Sequence, residues 1–150
     1  MLDKSNIRKL GKHIRSQVEI WTKDNPDVDE WNLAGACAIA SFVMYRALIK
    51  LRYKPKFIVA DSGCGCHCWV QLDNYIIDLT ATQFNMALPK VLITNKNSYF
   101  KAIPELKSYY EVKVNRNAIK STRTWDQQSP IIYTKEIRKI IRNLNEQDFK

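Results

Sequence analysis

Apolar residues recur at helical spacing through residues 4–22, where Ile7, Leu10, Ile14, Val18 and Trp21 form one stripe with charges between them. Gly11 weakens this predicted helix without abolishing it. The stretch KDNPDVDE then breaks the pattern with a proline among turn formers. GACAIASFVMYRALIKLRY follows, rich in good helix formers and apolar on most sides, as expected of a buried central helix. YKP ends it, and KFIVAD reads as a strand running into an Asp-Ser-Gly turn. HCWVQL and YIIDLT alternate around Asp73-Asn74, a two-residue hairpin signal. KVLIT and YYEVKV are further strand candidates. TKEIRKIIRNL predicts a last amphipathic helix with Ile137, Ile140, Ile141 and Leu144 on one face. Helices first, strands next and a helix last give an α+β pattern with a mainly antiparallel sheet.

A chain of 150 residues fits one domain, 1–150, with a core large enough to fold without disulfides or metal. No internal repeat or low-complexity tract interrupts it. The apolar runs are too short for a membrane span and the first residues too polar for a signal peptide. The expected compartment is therefore cytoplasmic, with cysteines as thiols rather than disulfides. Much of the formal charge of +9 sits towards the C-terminus, in Lys113, Arg116, Lys120, Arg123, Lys135, Arg138, Lys139, Arg142 and Lys150 against Asp126, Glu136, Glu146 and Asp148. Such a surface suits an acidic partner, although lysine-rich helices are also common as plain solvated faces.

The hairpin carries the first chemical suggestion. With Asp73-Asn74 as the turn, Leu72 faces Tyr75, and the pairs run back as Gln71–Ile76, Val70–Ile77 and Trp69–Asp78. His67 and Asp78 then share a face as diagonal neighbours, close enough for a carboxylate to reach an imidazole. A one-residue slip would separate them. A carboxylate fixing one imidazole nitrogen is the orienting half of a catalytic triad, and is also a common structural pair. The missing nucleophile would belong at a helix N-terminus, where amide groups and the dipole favour a thiolate. Cys37 stands there, with small residues on both sides. Taken alone it would read as a small core hydrophobe. His13, the other histidine, is expected to be partly exposed and without a catalytic role.

The ordered set GACAIASFVMYRALIKLRYKPKFIVA, HCWV and IIDLTAT resembles the core of the transglutaminase-like superfamily, within the papain-like cysteine enzymes. The resemblance covers residues 31 to 84, roughly a third of the chain. It implies a central helix packed on the sheet, with Cys37 as nucleophile, His67 as general base and acid, and Asp78 as orienter. Two features depart from the family pattern. Cysteines flank the histidine, and Trp31, with Asn32 beside it, stands where papain-like relatives often carry a glutamine as oxyanion donor. Trp31 or Asn32, with the Cys37 backbone N–H, is therefore the candidate oxyanion set.

Cys64, Cys66 and Cys68 alternate with His67, so on a strand they should point away from it and pack behind the hairpin. Structural zinc sites need a second cysteine or histidine pair, and only Cys37 remains, so no metal or other cofactor is expected. Cys66 or Cys68 could also protect Cys37 as a disulfide. The sequence thus predicts a cysteine enzyme of acyl transfer: a protease, deamidase or transglutaminase acting on a protein or peptide substrate with acidic surroundings. The alternative is a basic, zinc-stabilised binding module for nucleic acid or an acidic protein. Aromatic residues do not interleave with the basic ones, which argues against nucleic acid.

Overall fold

A computed structural model describes residues 3–26, 28–29, 33, 35–61, 66–106, 108–113, 135 and 138–143. Helix α1, Lys4–Thr22, begins at Asp3, whose carboxylate accepts from the Asn6 amide at 3.2 Å. The predicted stripe of Ile7, Leu10, Ile14, Val18 and Trp21 is buried. Gly11 belongs to the same stripe, because α1 passes so close to Val91 that a Cβ there would lie 2.8 Å from Val91 Cγ1.

Helix α2, Cys37–Lys50, buries ten side chains from Cys37 to Leu48. Its end is built by the backbone. Arg52 takes a left-handed φ of 66°, and the amides of Arg52 and Tyr53 bond back to the carbonyls of Ile49 and Leu48. The helix stops at Lys50, short of the YKP that the sequence marks as its end.

Five strands follow: β1 Lys56–Asp61, β2 Cys66–Leu72, β3 Tyr75–Asp78, β4 Leu92–Asn95 and β5 Ser108–Val112. They form one sheet in the order β4-β3-β2-β1-β5, with every neighbouring pair antiparallel. The predicted hairpin register holds, with Leu72 opposite Tyr75, Gln71 opposite Ile76 and Val70 opposite Ile77. Asp73 closes the turn at φ 52°, a left-handed conformation that aspartate tolerates better than most residues. A short helix α3, Lys96–Ala102, and a 3-10 turn at Ala81–Gln83 complete these elements. Neither was expected from the sequence.

The sheet is covered on both faces. Phe57, Val59, Cys68, Val70, Leu72 and Ile77 pack under α1 and α2. Ile58, Ala60, Trp69 and Ile76 face the opposite way, onto Ala81, Tyr99, Ile103 and Leu106. The architecture is α+β, as expected. Of the last predicted helix, Lys135 and residues 138–142 are helical, and Ile140 joins the core under α1 and α2. Ile137 and Leu144 lie outside the described residues. No helix among the described residues is long and apolar enough to cross a membrane.

Candidate active site

Cys37 is the first residue of α2, and Ala36, its N-cap, makes no side-chain capping bond. The approach to it is tightly turned. Leu33 has φ 61° and Gly35 has φ 93° within the four residues before Cys37. Leu33 is fully buried, so packing holds a conformation that costs a non-glycine residue on the order of 1–2 kcal/mol. The Cys37 thiol meets the first three residues of β2. As a thiol it donates to the Cys66 carbonyl at 3.8 Å, and it is hydrogen-bonded to the side chains of Cys68 and His67.

Asp78 and His67 meet as the hairpin register predicts. His67 Nε2 lies 2.7 Å from Asp78 Oδ2, and both side chains are buried. Asp78 is held by more than the imidazole. Tyr99, on α3, donates its hydroxyl to Oδ2 at 2.6 Å, and the Thr80 amide donates to Oδ1 at 2.8 Å. The side-chain amide of Gln83, at the end of the 3-10 turn, meets Nδ1 of His67. Phe84 packs edge-on against the His67 ring with centroids 4.8 Å apart. The imidazole is thus fixed by a carboxylate, an amide and an aromatic wall.

These contacts set the charge states. A hydrogen bond from Cys68 holds the Cys37 thiol well below its ordinary range; burial opposes it, and the His67 hydrogen bond and charge add to it. Burial pulls His67 down, but the charge and hydrogen bond of Asp78, with help from Cys37, outweigh it and raise the imidazole to about 10. Burial works against the Asp78 carboxylate too, and the His67 charge overcomes it and lowers the group below its ordinary value. Tyr99 is pushed well above the phenol range by burial and by the neighbouring carboxylate, so it stays a donor. Near neutral pH these shifts favour thiolate, imidazolium and carboxylate in contact.

The structure therefore brings Cys37, His67 and Asp78 together. Trp31 and Asn32 lie outside the described residues, as does Cys64. His13 is half-buried on α1. The expectation for the other two β2 cysteines needs correction. Cys66 is exposed rather than packed behind the hairpin. Cys68 is buried on the helix side of the sheet, but α2 starts on that side, which puts its thiol against Cys37. Sequence reasoning also missed Gln83 and Tyr99. Gln83 sits five residues after Asp78, directly after the motif IIDLTAT. Tyr99 lies on a helix too short to show periodicity, and its only local signal is Asn95, whose side chain accepts from the Ser98 amide at 2.8 Å. No group of three or more His, Cys, Asp or Glu side chains among the described residues could hold a metal ion. Comparison with protein-family models, curated proteins and solved structures gave no match.

Proposed function

We propose that the protein is a thiol-dependent acyl-transfer enzyme with a papain-like core of the transglutaminase-like type. One observation carries this reading: a buried chain from the Cys37 thiol through His67 to Asp78, with the thiol at the first position of a helix. A structural histidine–aspartate pair would not call for a cysteine thiol beside the ring at the start of a helix. The order of elements agrees, with the nucleophile on the central helix and its partners on adjacent strands.

The Cys37 thiolate attacks the carbonyl carbon of a carboxamide or peptide. The carbonyl electron pair moves to oxygen, where the Cys37 backbone N–H at the uncapped start of α2 can donate to it. The tetrahedral intermediate collapses as His67 gives its proton to the leaving amine, and a thioester remains. Water or a second amine then attacks the thioester, with His67 taking the proton and Cys37 leaving as thiolate. Asp78 stays ionised and holds the ring. A basic exterior favours a protein substrate with acidic surroundings. Hydrolysis, deamidation and amine transfer share the first step and differ in which acceptor reaches the thioester.

The test is intact mass of the protein, and of candidate peptide carboxamides, after incubation together. The proposal predicts a thioester adduct on Cys37, or product that requires Cys37. Product formed equally by Cys37→Ala would overturn it.

A further inference from the structure

A groove of about 450 Å³ lies between α1 and the Pro89–Val91 segment, and no residue of the triad lines it. Arg8, Lys12, Arg15, Ser16, Glu19 and Lys90 line it, an excess of three positive charges. Arg8, Lys12 and Arg15 are four and three residues apart, so α1 stacks three cations on one face, an arrangement that is unfavourable unless something negative answers it. Glu19 is already engaged, by Arg15 at 3.0 Å and Lys90 at 3.1 Å. Arg8 donates to the Val91 carbonyl, a neutral acceptor, and no carboxylate among the described residues pairs with Arg8 or Lys12.

Arg15 gives the groove a rigid wall. It is 2% exposed, and its Nη1 donates to the Leu79 carbonyl at 2.7 Å and to Thr82 Oγ1 at 3.0 Å. Its Nη2 is also buried and has no acceptor among the described residues. Held by Leu79 and Thr82, the Arg15 guanidinium adds a fixed positive charge behind the groove, where Arg8, Lys12 and Lys90 supply the cations within reach of a ligand. We infer that this groove binds a small, soluble phosphate-bearing anion. A phosphate carries more than one negative charge and several acceptor oxygens, which matches three excess cations better than a single carboxylate does. The volume falls in the range of small-molecule sites, and among the described residues no aromatic side chain lines the wall for a nucleic-acid base to stack on.

The inference does not depend on the acyl-transfer reading, and its test leaves Cys37 out. Inorganic pyrophosphate is titrated into the full-length protein by calorimetry, with thermal unfolding followed in parallel. Saturable binding and a raised melting temperature are expected, equally in wild type and Cys37→Ala. Lys12 and Lys90 are exposed, so the double variant Lys12→Gln/Lys90→Gln should fold normally and bind at least about tenfold more weakly. No saturable binding up to about 10 mM pyrophosphate would overturn the site. So would unchanged affinity in the double variant, or an equal response to sodium chloride at matched ionic strength.

Discussion

A carboxylate with donors on both oxygens, as Asp78 has, holds the imidazole beside it in one orientation and one charge state. Under the proposed chemistry Cys37→Ala removes the covalent route, and His67→Ala is almost as severe because the base and the acid go together. Asp78→Asn should cost on the order of 10²–10⁴ in rate, by analogy with the handling of the same change in a serine protease. The pH profile adds a sign. His67 titrates at about 10, so its charged form persists below that value and is lost as pH rises through it. Its contribution to stability is fully present below about 6.5 and disappears over the same alkaline range. Since Asp78 raises His67, Asp78→Asn should move the alkaline limb of the rate profile to lower pH; a limb left at about 10 would remove Asp78 from that role. Cys68 offers a separate check. If its thiol donates to Cys37, Cys68→Ala raises the Cys37 titration while Cys68→Ser, which keeps a donor, largely restores it. A purely packing role would make both variants titrate like wild type.

Elements differ in how openly the sequence announced them. The β2–β3 hairpin was legible to the residue because a period of two and a two-residue turn leave one register that buries Val70 and Ile77. That register by itself set His67 against Asp78. The two long helices were legible from their apolar stripes. Helix α3 and the 3-10 turn were not, because seven and three residues carry too little periodicity, and Tyr99 and Gln83 were lost with them. Cys68 was misjudged for another reason. Alternation gives its face of the sheet but not where the start of α2 lies above that face. Two backbone features give predictions at this scale. Gly11→Ala gains about 1 kcal/mol of helix propensity but drives a methyl into Val91, a stiff and buried neighbour. A net loss on the order of 1 kcal/mol is expected by urea unfolding, and Val91→Ala should turn Gly11→Ala into a gain. At the end of α2, Arg52→Gly should stabilise by about 0.5–1 kcal/mol, because Arg52 is exposed and holds a left-handed φ. A destabilised Arg52→Gly variant would mean that the arginine side chain contributes more than its strain costs.

Across the whole molecule, the sheet divides the work. One face packs on α1 and α2 and carries the rigid core, while the other packs on α3 and the turn after β3 and carries Asp78's supporting contacts. Cys37 is delivered from the first side and His67 and Asp78 from the second, and they meet at the start of β2. That convergence is a property of the fold and was visible in the sequence only as an ordered set of short motifs. Cys37 is just 4% exposed, so the thiol is sheltered from bulk solvent, which strengthens every charge interaction around it. The central claim is that this sheltered sulfur is ionised, held so by Cys68 and by His67, and it can be tested before any substrate is known. Thiolate absorbance near 240 nm is recorded from acid to pH 9 for wild type, Cys37→Ala and His67→Ala, with circular dichroism to confirm folding. The account predicts about one thiolate per chain near pH 7 in wild type. That signal should be absent in Cys37→Ala and appear only at clearly higher pH in His67→Ala. A wild-type curve that matches Cys37→Ala below pH 8 would contradict it.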